Sequence, residues 1–224
     1  MGIHDGHRQR MKSRFLEHGL DSFDDINVLE LMLFYALPRQ DTNALAHALL
    51  QHFGSLHAVL DASAEELRDV PGLGDNSISL LRLIPAVSRR YMLSKTPQGE
   101  AIDSPVAAAR YLLPRFMYET EEVVYALLLD ARRKPICCRE ISRGTVNSAE
   151  ISARRLAELA LGRHSSSVIL SHNHLSGVAI PSAEDERSTV RLRDALALLG
   201  VELSDHIVVA GCEYVSMREA GLLD

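Results

Sequence analysis

The sequence predicts an α/β protein: an all-helical N-terminal domain, then a mixed β-sheet domain flanked by helices. Three observations carry this. Leu/Ala-rich runs with helix-starting residues fill the chain up to residue 95. A polar stretch with two prolines and a glycine, SKTPQGEAIDSP at 94–105, then breaks the pattern. Beyond it, β-branched apolar runs alternate with helical ones. We therefore expect a helical domain over 1–95, a linker over 96–104 and a sheet domain over 105–224.

In the first domain, residues 26–37 and 43–53 read as helices separated by PRQDTN, with Asp41 or Thr42 to cap the second. Shorter helices are expected near 55–60 and 63–69. Asp61 or Ser63 can cap the latter, and Glu66, three residues beyond Ser63, completes a capping box. VPGLGDNS then carries Gly72 and Gly74, giving a tight turn at 71–75 where both glycines can take positive φ. N–H groups exposed at the head of the following helix can bind a phosphate. Arg89 and Arg90 suit the C-terminal end of that helix through its macrodipole, or extend such a phosphate site. His4 and His7 can form a weak metal site, although a loosely docked N-terminal segment is the simpler expectation.

In the second domain, SPVAAARYLLPRF reads as a helix with Ser104 as N-cap and Pro105 in the first helical position. EVVYALLLD (122–130) is a buried strand, ARRK turns it, and PICCREIS returns as a second strand. SAEISARRLAELALG is a helix ending at Gly162. SSVILSHNH is a third strand, and PSAEDERSTVRLRDALALLG is a helix. VELSDHIVVAG and EYVSM complete a mixed sheet.

Composition narrows the function. Hydrophobic content of 46% and charged content of 24% are those of a soluble globular protein. Residues 1–98 carry 10 Lys/Arg against 12 Asp/Glu, and residues 99–224 carry 14 against 18. Neither part is basic, so broad phosphate-tracking DNA binding is not expected. Cys137, Cys138 and Cys212 form no disulfide framework and no C-x-x-C pattern, which fits reduced thiols in a cytoplasmic protein. The N-terminus has no apolar signal region. The longest apolar run, 26–38, holds Glu30 and is too short to span a membrane.

The informative stretch is SHNHLSGVAIPSAED, 171–185. In a strand, residues i and i+2 share a face, so His172 and His174 project together from a strand end. Two imidazoles so placed can chelate zinc, with Asp185 in the next helix's first turn as third ligand. Three protein ligands leave a fourth position for water, as in catalytic sites. The plainer reading also stands: Ser182 with Asp185 imitates a capping box. A bound water needs a base nearby. Glu122, at the mouth of a buried strand, fits best by pattern, with Glu119 and Glu121 as neighbours in the acidic run ETEE.

Asp205 and His206 open a strand and can orient a zinc histidine from behind, or simply fix the start of that strand. Asn173 and Ser171 point to the face opposite the ligands and are structural candidates. A zinc deaminase would need H-x-E and P-C-x-x-C, which are absent. Acids around the histidines are too few for a two-metal nuclease.

The string His172-x-His174-x7-Ser182-x2-Asp185, with an upstream Glu, resembles the JAMM motif of MPN (JAB) domains. SHNHLSGVAIPSAED, LLLDARRKPI, GTVNSAEI and SDHIVV are similar to the RadC family in particular. So are GHRQRMKSRF, LELMLFYALPRQDTNALAHALLQHFGSL and VPGLG in the helical part, so the resemblance covers nearly the whole chain. It implies an MPN (JAB)-like sheet domain that holds one Zn²⁺ on His172, His174 and Asp185. It also implies Glu122 as general base and Ser182 as oxyanion donor, acting on a peptide or isopeptide amide. The family commonly has Pro at Leu175 and PRE where SAE stands, with Glu150 retained; Leu175 leaves the loop after His174 less rigid. The VPGLGDNS turn resembles the hairpin of helix-hairpin-helix DNA-binding domains.

Two functions from different classes follow. One is a zinc metallopeptidase-like hydrolase acting on a peptide or protein substrate. The other, implied by the family's DNA-repair label, is a module whose zinc domain is a scaffold and whose helical domain docks DNA. Substrate and oligomeric state are left open by the sequence.

Overall fold

A computed structural model describes residues 3–96, 99–144 and 152–223. Residues 145–151 of GTVNSAEI, Glu150 among them, and the start expected for the helix that follows lie outside the described residues. The chain divides into two compact units, residues 1–90 and 91–224.

The first unit is helical. Helix α1 (Ile3–His18) is followed by α2 (Asp25–Ala36), α3 (Asn43–Phe53), α4 (Leu56–Asp61) and α5 (Ala64–Arg68). Helix α6 (Asp75–Lys95) runs past Arg89 and Arg90, which therefore stand inside it, with Lys95 in its last turn. The core gathers Leu29, Leu33, Leu49, Val59, Leu67 and Leu81, all out of reach of solvent. Ser63 and Glu66 form the expected capping box at α5. At α3 it is Asp41 that accepts from the Asn43 amide, at 3.0 Å, while the Thr42 hydroxyl is buried and makes no cap bond.

The N-terminal stretch is a docked helix rather than a loose segment. His7 Nε2 lies 3.1 Å from the buried Glu30 carboxylate, which also accepts from Asn43. Arg8 donates to the carbonyls of Leu37, Pro38 and Gln40, just past the end of α2. Those carbonyls have no partner within the helix, so a guanidinium satisfies them and meets the negative end of the dipole. At the glycine turn only Gly72 takes positive φ, at 94°. Gly74 opens α6, and Asp75 beside it faces Arg68 at 3.8 Å. A carboxylate at that helix head works against a phosphate in the same place.

The second unit is a sheet covered on both faces. Helix α7 (Pro105–Phe116) starts at Ser104, whose hydroxyl accepts from the Ala107 amide. Then come β1 (Val123–Leu129), β2 (Pro135–Arg143), α8 (Ala153–Gly162), β3 (Ser167–Asn173), α9 (Ala183–Ala197), β4 (Glu202–Ala210) and β5 (Glu213–Ser216). Helix α8 stops without the left-handed glycine expected at Gly162. Arg163 caps it, and His164 takes the positive φ, 53°, that turns the chain. The sheet order is β2-β1-β3-β4-β5; β3 and β4 are parallel and the other neighbours antiparallel.

Alternation along the strands splits the core in two. Val124, Ala126, Leu128, Val168, Leu170 and Val208 pack with Leu156 of α8 and Leu192 of α9. Val123, Tyr125, Leu127, Ile169 and Ile207 pack with Ala108 and Leu112 of α7. With both faces buried, β1 is apolar along its whole length instead of alternating with polar residues, and β3 is buried throughout with Val168–Leu170 as its apolar stretch. No helix among the described residues is long and apolar enough to cross a membrane.

Leu170 lies at the centre of the β3 layer and is fully enclosed. Leu170→Ala should lower stability by about 3 kcal/mol in urea unfolding, from lost transfer energy and the cavity left behind. A loss below about 1 kcal/mol would mean that the face packed on α8 and α9 is not the tight core described.

Candidate metal centre

The parallel pairing of β3 and β4 places the centre. A parallel neighbour needs a crossover, and α9 supplies it. The chain leaves the C-terminal end of β3, where His172 and His174 stand, and α9 begins beside that end. Asp185, in the first turn of α9, thus returns to the histidines.

Donor atoms of three residues converge. His172 Nε2 lies 2.9 Å from His174 Nε2 and 3.3 Å from Asp185 Oδ1, and His174 Nε2 lies 3.4 Å from Asp185 Oδ2. His172 and Asp185 are buried, whereas His174 is partly open to solvent. This group can hold a metal ion. The exposed side chains of Leu175, Val178 and Ile180 belong to the loop that follows His174.

The competing reading of Ser182 and Asp185 as a helix cap holds at the same time. The Ser182 hydroxyl accepts from the Asp185 amide at 3.1 Å, and the Ser182 amide donates to Asp185 Oδ2 at 2.7 Å. The Ser182 hydroxyl also donates to Oδ2 at 2.6 Å. The cap fixes the carboxylate's rotamer, and so aims it at the histidines. Burial opposes ionisation of Asp185, but the His172 imidazole and the bonds from Ser182 outweigh it, so the carboxyl lies well below the usual carboxylate range.

Each ligand histidine is held from behind. His174 Nδ1 lies 3.1 Å from the Val178 carbonyl, which can only accept, so Nδ1 carries an N–H and Nε2 is the atom turned toward His172 and Asp185. His172 Nδ1 meets His206 Nε2 at 2.8 Å. His206 is 1% exposed, and burial pushes it well below the usual histidine range, so it is neutral. Strand β4 begins at Glu202, so Asp205 and His206 lie inside it and face opposite ways. Asp205 does not reach a ligand imidazole. Its carboxylate accepts from the His206 amide, the Ser216 hydroxyl and the Arg218 amide, and burial raises it above the usual range.

The acidic run at 119–122 resolves by partner. Glu119 is held by both terminal nitrogens of Arg143, and Glu121 lies 3.7 Å from the same guanidinium. Glu122 is half-buried just ahead of β1. The β1–β3 ladder ends at the pair Val124–His172, and Glu122 stands two residues before Val124 at that end of the sheet. Asn173 binds both sides of Glu122: its Oδ1 accepts from the Val123 amide at 2.7 Å, and its Nδ2 donates to the Glu121 carbonyl at 3.0 Å. Ser171, also off the ligand face, donates to the Ile207 carbonyl at 2.7 Å.

Sequence reasoning missed Thr189. It is fully buried one turn beyond Asp185, 2.6 Å from the Asp185 carbonyl and 2.6 Å from His206 Nδ1. Its i+4 spacing from a ligand was the available signal.

Comparison with known proteins agrees with this architecture. Residues 102–222 match the RadC-like JAB domain. A UPF0758 protein of Nitrosococcus oceani is 35% identical over 215 residues, 96% of each chain. Another, from Stenotrophomonas maltophilia, is 38% identical over 225 residues, 100% of this chain and 96% of the relative. A third, from Bordetella pertussis, is 37% identical over 212 residues, 95% of this chain and 94% of the relative.

Reconstitution with a divalent transition metal should load one ion per chain, read by elemental analysis after desalting. His172→Ala/His174→Ala should take up none while keeping its circular dichroism. Equal loading of the two proteins would place the metal elsewhere.

Proposed function

We propose that the chain, which belongs to the RadC-like JAB domain family, is a zinc-dependent hydrolase that cleaves a peptide or isopeptide amide. The observation that carries this is the convergence of two imidazole nitrogens and one carboxylate within 4.8 Å. Their separations of 2.9–3.4 Å are close to the edge of a tetrahedron with zinc-ligand bonds, about 3.3 Å. Nitrogen and oxygen donors on a partly exposed site suit zinc, and three protein ligands favour a catalytic over a closed structural centre. Bound there, zinc would supply a Lewis acid that acidifies a water and polarises the scissile carbonyl.

The chain's own groups divide the remaining work. Glu122, at the ligand end of the sheet, accepts the proton of the attacking water and passes it to the leaving amine. The separation of roles among the acids supports this, because Arg143 engages Glu119 and Glu121. Asn173 sets the backbone on either side of Glu122 and sits between the two histidines in sequence, so base and ligands share one frame. The Ser182 hydroxyl donates to Asp185 Oδ2 in the metal-free site and would turn its proton to a tetrahedral oxyanion once that carboxylate is engaged by zinc. The exposed apolar loop at Leu175–Ile180 lies next to the ligands in sequence and is the natural contact for substrate side chains.

The test is turnover of peptide and isopeptide libraries by zinc-loaded protein. Glu122→Gln should keep its zinc and lose about 100-fold or more in kcat, the usual contribution of a general base. Asn173→Ala should also keep its zinc and lose about 10-fold, because the base is no longer held in place. Turnover that survives unchanged in Glu122→Gln, or that persists after zinc removal, would refute the assignment.

A further inference from the structure

A cavity of about 230 Å³ lies away from the candidate metal centre. All of its lining residues belong to the second unit, from Ile102 to Glu219. It sits where β4 begins, between the head of α7 and the turn that joins β1 to β2. Glu202, the first residue of β4, pairs with Ser167 at the start of β3, whereas His172 and His174 stand at the other end of that strand. The face differs too. Ile169 and Ala108 of the lining belong to the layer packed on α7, while His172 meets Asp185 of α9. Pockets for drug-sized ligands hold roughly 300–1,000 Å³, so this one suits a smaller molecule.

The lining defines the occupant. Val168 pairs with Leu203 and Ile169 with Asp205, so Ser204 is the extra residue of a bulge. Bulges re-aim side chains. Ser204 is 7% exposed, and its hydroxyl has no hydrogen-bond partner among the described residues. Such a buried hydroxyl burdens the fold unless another group meets it. Asp205, beside it, is 5% exposed, and its carboxylate is held by a hydroxyl and two amides, none of them charged. A buried carboxylate is best satisfied by a cation.

Two guanidiniums and three carboxylates share the wall: Arg133 and Arg218, with Asp103, Asp205 and Glu219. Arg218 is already engaged by Glu202 and the Ser204 carbonyl. Arg133 is exposed at the corner of the β1–β2 turn, with φ 59°, and its carbonyl accepts from the Ile102 amide at 2.8 Å. That bond ties the corner to the segment leading into α7. A simple anion in this cavity meets three carboxylates, and a simple cation meets two guanidiniums. A small ligand that carries both charges satisfies both sets.

We propose that this cavity binds a free α-amino acid. The ligand carboxylate takes Arg133, its ammonium faces Asp205 and donates to the Ser204 hydroxyl, and its side chain lies on Ile169 and Ala108. Asp103 and Glu219 repel anions that lack the ammonium. The assignment is independent of the metal and of amide cleavage.

Calorimetric titration of the metal-free protein with the common L-amino acids tests it. At least one should bind at one site per chain and raise the melting temperature by mass action. The N-acetyl form of that amino acid, which lacks the ammonium, and its decarboxylated amine should each bind at least about 10-fold more weakly. Arg133→Ala, on an exposed turn, should weaken binding by a similar factor. Ser204→Ala should also weaken it, yet leave the ligand-free protein at least as stable, because an unpartnered hydroxyl is removed. A serine with a purely structural role would show the reverse. His172→Ala/His174→Ala should bind as the wild type does. Binding of no amino acid, equal binding of the amine or the N-acetyl form, or wild-type affinity in Arg133→Ala overturns the proposal. So does loss of binding in the histidine variant, which would place the ligand at the metal centre.

Discussion

Strands β3 and β4 run side by side in the same direction, so the chain between them must leave the end of one, cross the sheet and come back. That requirement puts the start of α9 beside the end of β3 and brings Asp185 to His172 and His174. It also places polar groups in a layer that is otherwise apolar. His172, Asp185, Ser188, Thr189 and His206 are all buried on this side. An unpaired polar group there would cost about 1–3 kcal/mol. Each of the five has a partner: Ser188 and Thr189 donate to the Asp185 carbonyl, and the imidazoles meet each other. Hydrogen bonding that makes the cluster tolerable to the fold also fixes the direction of every donor atom in it.

The other half of the site comes from the antiparallel side of β3. Pairing with β1 brings the mouth of that strand, and Glu122 with it, to the ligand end. Three carboxylates crowd this mouth, and Arg143 of β2 separates their roles by binding Glu119 in a two-pronged fork. The candidate metal group and Glu122 thus come from three neighbouring elements tied to one strand.

Much of this was legible in the sequence. The i, i+2 histidines share a face because β3 is a strand, and Ser182 with Asp185 reads as a cap because that turn is one. The Asp185 carboxylate both caps α9 and faces the two histidines, which is why spacing alone kept both readings open. What stayed hidden depended on distant partners. That Glu119 is tied up in an ion pair depends on Arg143, 24 residues further on. Thr189 is an unremarkable residue inside a helix until His206, 17 residues away, is seen against it. Docking of α1 rests on Glu30, whose burial no local pattern in the first helix announces. At the end of α8, His164 takes the left-handed turn in place of Gly162, a departure from residue preference that local sequence does not predict.

X-ray absorption at the zinc edge of the loaded protein tests the central claim most directly. Two imidazole nitrogens with light oxygen donors completing the sphere, and loss of both imidazole contributions in His172→Ala/His174→Ala, is the result this account predicts. A sphere containing sulfur, or one filled by four protein ligands with no exchangeable position, would contradict it and make the centre a structural scaffold.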